Sequence, residues 1–116
     1  MLKTKTVLPV IALLAAMSAG AAHAASFDCE SKELKPDEKT ICDTRSLNDA
    51  DVKMATTFDI LSPLLAMGAR GTMQEQQVKW LAERQACGAD AACLMAAYDK
   101  RLKELDETFK MINKPL

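Results

Sequence analysis

Four cysteines in a short chain, Cys29, Cys42, Cys87 and Cys93, constrain this fold more than any other feature. Their role depends on the redox compartment, because disulfides persist in oxidising surroundings while cytosolic thiols stay reduced or bind metal. The first 24 residues bear on that question. Lys3 and Lys5 precede an apolar run from Val7 to Ala16, broken only by Pro9, and small residues then lead to Ala22-His23-Ala24. A positive start, a short apolar stretch and an A-x-A end read as a cleavable secretory leader over residues 1–24. The apolar run is too short to span a bilayer. A lipid anchor would need a Cys directly after the cut, whereas Cys29 follows Ser26-Phe27-Asp28. The expectation is a soluble protein exported to the periplasm or secreted, with neither membrane span nor lipid anchor.

Cleavage after Ala24 leaves residues 25–116 as one small domain. Lys3 and Lys5 leave with the leader, so the formal charge moves from −1 to −3. A mildly acidic chain with scattered lysines is a poor nucleic-acid binder, though it suits a basic protein partner. The leader also carries His23, the one histidine. Residues 25–116 therefore offer no Ser-His or Cys-His pair and no imidazole ligand, and no catalytic residue, cofactor or metal site is expected. The cysteine spacings fit neither the paired knuckles of a zinc site nor a C-x-x-C redox motif. They read as two disulfides. Of the three possible connectivities, Cys29–Cys42 with Cys87–Cys93 is expected, since each then ties a helix end to its neighbour. Closing loops of this size contributes about 2–3 kcal/mol each, which matters in a domain able to bury only about 60–65% of its unfolded surface.

The pattern along the chain predicts an all-α, disulfide-stapled antiparallel bundle of three main helices plus a short N-terminal one. Residues 25–35 are polar and extended, with Phe27 as their anchor. Pro36-Asp37-Glu38 starts a short helix that reaches Cys42, with proline in the first turn and acids at the positive end of the dipole. A second helix, capped at Asp43, Thr44 or Ser46, places Leu47, Met54, Phe58, Leu61 and Leu65 on one stripe. Pro63 should end or kink it near Leu61 or Ser62. Residues 68–71 read as a turn, and Thr72-Met73-Gln74-Glu75 as a capping box opening a third helix through Val78, Leu81 and Ala82 to Cys87. Gly88 suits the C-terminal cap of that helix and Asp90 the N-cap of the next, which carries Leu94, Tyr98, Leu102, Leu105 and Phe109.

Several of these residues fall into a recognisable order: Phe27-Asp28-Cys29, Ile41-Cys42, then Asp51 with Phe58 seven residues on. Gln77-x-x-Trp80-Leu81-x-x-Arg84-x-x-Cys87, Cys93-Leu94 and Tyr98-x-x-Arg101-Leu102 follow. Together they resemble the LprI-like family of small exported bacterial proteins, named for a mycobacterial lysozyme-inhibiting lipoprotein, across nearly all of residues 25–116. The resemblance implies a non-enzymatic protein that inhibits lysozyme or a related muramidase. Two departures stand out: Phe58 occupies a position where the family usually has Tyr, and the lipid-anchor motif of the namesake is missing. Two other readings compete, a structural or stress factor that binds another envelope protein and an immunity protein against a cell-wall-degrading toxin.

Trp80 and Arg84, four apart on one helical face, read either as a partner anchor, a pairing enriched in interface hot spots, or as a core ring covered by a paired guanidinium. The core reading is preferred. Asp51 and Arg101 read either as an internal ion pair tying helix four to helix two or as charges presented to a ligand, the internal pair being preferred, and Tyr98 reads as a core ring with a bonded hydroxyl. Met54, Met67, Met73, Met95 and Met111 read as core fillers where aromatics are few. The candidate contacts for a basic partner are Asp37 with Glu38, the cluster Glu104, Asp106 and Glu107, and Arg70, placed on an exposed loop between two glycines.

Overall fold

The computed structural model describes residues 25–114; the leader expected over residues 1–24 lies outside them. The described chain forms α1 (Pro36–Asp43), α2 (Arg45–Leu61), a 3-10 turn (Ser62–Leu64), α3 (Met67–Ala86) and α4 (Ala91–Ile112), with no strand among the described residues. The all-α, stapled bundle expected from the pattern is what the structure shows.

Local chemistry explains most boundaries. In α1, Pro36 occupies the first turn, and the Lys35 N–H donates to Glu38 Oε1 at 3.0 Å, satisfying a donor that the helix itself leaves open. α2 stops at Leu61 because Pro63 cannot donate to the next turn, and the chain tightens into the 3-10 segment. Gly88 takes φ +57°, the left-handed conformation glycine adopts most cheaply, and ends α3. Asp90 Oδ1 then accepts from the Ala92 and Cys93 N–H groups at 3.0 and 3.1 Å, capping α4.

Disulfides join Cys29 to Cys42 and Cys87 to Cys93, with Cα separations of 5.7 and 5.6 Å. The first ties the N-terminal segment to α1. The second closes the α3–α4 corner, where Thr40 Oγ1 of α1 also donates to the Ala89 carbonyl at 3.1 Å.

Cross-helix pairs fix the directions. Tyr98 meets Asp51, and farther along Leu102, Asp106 and Phe109 share a groove with Lys53 and Thr57, so α2 and α4 run the same way. Trp80 meets Ala97 and Gln77 meets Arg101, so α3 runs opposite to α4. The core between them is Ile41, Leu47, Met54, Leu61, Met73, Trp80, Leu94, Tyr98 and Leu105, with Phe27, Phe58 and Leu102 half-buried against it.

Two expectations about α3 are corrected. Residues 68–71 are not a turn, and Thr72 does not cap: the helix begins at Met67, after Ala66, and its first i→i−4 bond runs from the Arg70 N–H to the Ala66 carbonyl at 2.8 Å. Thr72 Oγ1 instead donates to the Gly68 carbonyl at 3.1 Å. Glycine is least costly near a helix start, and the Arg70 side chain holds that start in place. The buried face of α3 is Met73, Trp80 and Arg84, with Gln77 half-buried between them, so Val78 points outward and is 70% exposed. Met54 and Met73 are core fillers as expected and Met95 packs half-buried, but Met67 and Met111 are exposed.

Candidate functional site

Each helix delivers one polar side chain to a single buried cluster: Asp37 from α1, Asp51 from α2, Arg84 from α3 and Tyr98 from α4, none more than 5% exposed. Arg84 Nε donates to Asp37 Oδ2 at 2.9 Å, and Arg84 Nη1 lies 3.8 Å from Asp51 Oδ1. The second contact is an ion pair too long to be a hydrogen bond. Asp51 is held by other donors, the Tyr98 hydroxyl to Oδ1 at 2.7 Å and the Ser26 N–H to Oδ2 at 2.6 Å.

Aromatic rings close the cluster. The Arg84 guanidinium carbon is 5.4 Å from the Phe27 ring centroid and 5.9 Å from that of Trp80, within cation–π range. Trp80 meets Tyr98 edge-to-face at 5.1 Å and donates its indole N–H to the Ala97 carbonyl at 2.8 Å. The Tyr98 phenol is pushed far above its usual pKa, first by burial and then by the negative charge and hydrogen bond of Asp51. It stays a neutral donor throughout the physiological range.

A second network sits higher on the bundle. Arg101, fully buried, donates through Nε to Gln77 Oε1 at 2.8 Å, through Nη1 to Glu104 Oε2 at 2.8 Å and through Nη2 to the Met73 carbonyl at 3.3 Å. Gln77 Nε2 in turn faces Met54 Sδ at 3.2 Å. The expected Asp51–Arg101 pair is therefore corrected. Both residues are buried and ionic, but Asp51 faces Arg84 while Arg101 spans α3 and α4 one turn farther along.

The candidate partner contacts divide in the same way. Asp37 is not a surface charge: it is 1% exposed and bound to Arg84, because the first turn of α1 faces inward at Asp37 and again at Ile41. Glu38, half-buried, serves the start of α1. Arg70 is not on a loop. It is half-buried in the first turns of α3, with Nε donating to the Ser62 carbonyl at 2.7 Å and Nη2 to the Leu65 carbonyl at 3.1 Å. It satisfies carbonyls left open where α2 ends. Glu104, Asp106 and Glu107 remain on the outer part of α4. Glu104 is half-buried beside Arg101, Asp106 pairs with Lys110 at 2.6 Å, and Glu107 is exposed. Hydrogen bonding to Asp106, then its charge, raises the Lys110 pKa.

Trp80 and Arg84 thus belong to the core, as the preferred reading had it. Phe58 is half-buried against the core. Sequence reasoning missed Asp37, although its spacing of four from Ile41 carried the signal, and missed the backbone N–H of Ser26, which no sequence pattern marks. Between α3 and α4 lies a polar recess of about 210 Å³, lined by Gln76, Lys79, Trp80, Glu83, Lys100 and Glu104 and crossed by a Lys100–Glu83 pair at 2.9 Å. Among the described residues no group of His, Cys, Asp or Glu is placed to hold a metal ion, and no helix is long and apolar enough to cross a membrane.

Comparisons with protein-family models, with curated proteins and with solved structures return no match.

Proposed function

We propose that this chain is an exported, non-enzymatic binding protein whose partner is a basic cell-wall hydrolase, lysozyme or a related muramidase, and that it inhibits by covering the substrate cleft. The observation that carries this reading is the division of polar groups. Asp37, Asp51, Gln77, Arg84, Tyr98 and Arg101 are engaged inside the bundle, with Glu104 half-buried against Arg101, while the carboxylates of Asp106 and Glu107 face outward on α4. There Asp106 and Glu107 run directly into Phe109, Met111 and Ile112, which are 49%, 67% and 39% exposed. Carboxylates bordering apolar side chains on one rigid helix suit a basic partner, with charge steering the encounter and apolar contact holding the complex. The motif resemblance and the charge of −3 expected after leader removal support the same reading.

The test is the association rate with lysozyme at two salt concentrations, alongside a turbidity assay of cell-wall lysis. Binding should weaken as salt rises, because exposed charges are screened beyond about 8–10 Å at physiological ionic strength. The double variant Asp106→Asn, Glu107→Gln should associate more slowly while its dissociation changes little. No binding at low salt would end the muramidase reading and leave a different envelope protein as the partner.

A further inference from the structure

The buried cluster holds two carboxylates, Asp37 and Asp51, and one guanidinium, Arg84. Asp37 has the direct Arg84 hydrogen bond and also the positive end of α1. Asp51, 0% exposed, has a neutral hydroxyl, a backbone N–H and a guanidinium only as near as 3.8 Å. An ionised carboxylate accepts about four hydrogen bonds, so Asp51 has room for another donor, and a buried charge of this kind calls for a closer cation.

The Ser26 N–H bonded to Asp51 points to its source. Consecutive backbone nitrogens are about 3–3.7 Å apart, so the nitrogen of Ala25 lies one residue from a carboxylate contact of 2.6 Å. Ala25 is itself only 7% exposed and lines a recess of about 290 Å³ with Ser26, Val52, Ala55, Thr56 and Asp59. The leader motif places its cut at the Ala24–Ala25 bond. Hydrolysis by a leader-removing protease adds water across that bond: the hydroxyl goes to the Ala24 carbonyl carbon and one proton to the Ala25 nitrogen, and the proton lost as the new Ala24 carboxyl ionises converts the amine to an α-ammonium.

We infer that leader removal completes the core, the new α-ammonium of Ala25 docking beside Asp51 as the second cation of the buried cluster. The inference rests on the reading that the chain is exported and cut after Ala24. Processing and folding are then coupled. The leader-bearing chain has one guanidinium for two buried carboxylates at the junction of its helices, and the processed chain has a second cation. The groups facing the new terminus are Asp51 and Asp59 from α2, with Tyr98 of α4, Arg84 of α3 and Asp37 of α1 behind Asp51.

Intact mass and N-terminal sequencing of the exported protein read the cut by itself; a start other than Ala25 removes the premise and overturns the inference for the natural chain. The docking is read separately, on disulfide-intact protein made to begin at Ala25. Acetylating its α-amine, or extending it by Gly-Ser, should lower the melting temperature by about 5 °C or more, the range expected when a domain of this size loses one buried pairing. In Asp51→Asn the same blocks should make no difference, while in Asp59→Asn they should act as in the parent. In the folded parent the α-amine should acylate at least tenfold more slowly than in urea. Equal melting temperatures for free and blocked termini, or an equal effect of blocking in Asp51→Asn, would overturn the docking.

Discussion

Replacing Arg84 with methionine tests whether the buried cluster holds the bundle together. The substitution keeps most of the side-chain length and apolar stem but removes the guanidinium. Three consequences follow from the geometry. The 2.9 Å bond to Asp37 is lost, the 3.8 Å ion pair with Asp51 is lost, and the cation leaves the faces of Phe27 and Trp80. Removing one partner from a buried ion pair costs about 3–5 kcal/mol because the remaining charge stays desolvated, and each cation–π contact adds about 0.5–1 kcal/mol. A domain of this length has about 5–13 kcal/mol in total. Arg84→Met should therefore remove a third or more of the stability, lowering the melting temperature by roughly 15–30 °C. Urea unfolding followed by circular dichroism measures it. The companion is Arg84→Met with Asp37→Asn. If the penalty is a stranded carboxylate, adding Asp37→Asn should restore about 1–3 kcal/mol rather than add damage. A loss under about 1 kcal/mol in the single variant, or simple additivity in the pair, would refute the reasoning.

Trp80→Ala should cost about 3–5 kcal/mol by emptying the core between α3 and α4; an unchanged melt with lost partner binding would make Trp80 a contact residue instead. Tyr98 is the one tyrosine, so its titration can be followed by absorbance near 295 nm. Because folding raises its pKa, its contribution to stability is fully present below about pH 10 and is lost as pH rises above that. The phenolate should therefore appear only as the protein unfolds; a normal titration with the fold intact would contradict its burial against Asp51. Gly71→Ala should raise the melting temperature by a few degrees, since Gly71 lies in α3 and an added Cβ meets nothing within 4 Å. A fall would mean that residues 68–71 form a turn after all.

Much of the fold was legible because its signals are local. The cysteine spacing favoured two nearby pairings, Pro63 marked the end of α2, and Gly88 with Asp90 marked the α3–α4 corner. Each of these depends on a few adjacent residues, and the structure agrees with each. The start of α3 was misread for the opposite reason. Gly68 and Gly71 look like a turn in isolation, and what makes that stretch helical is Arg70 reaching back to the carbonyls of Ser62 and Leu65. The candidate site was legible one residue at a time but not pair by pair. Asp51, Trp80, Arg84, Tyr98 and Arg101 were all marked for the core. Yet Arg84 and Arg101 are both long cations on inward faces, and only the relative heights of α2, α3 and α4 decide which meets Asp51.

Those heights also divide the bundle into two unlike ends. Both disulfides, the Asp37–Arg84 pair, the Asp51–Tyr98 bond and the Thr40–Ala89 contact lie where α1, the end of α3 and the start of α4 meet. The opposite end, formed by the close of α2, the start of α3 and the close of α4, has the Arg70 cap, and the Arg101 network lies between the two ends. That opposite end also carries the exposed apolar side chains Ile60, Leu64, Met67, Phe109, Met111 and Ile112. Covalent closure limits the unfolded ensemble most strongly around the first end, and the buried ion pair is most destructive to break there. Exposed side chains at the second end can therefore be exchanged without disturbing the network that holds the fold.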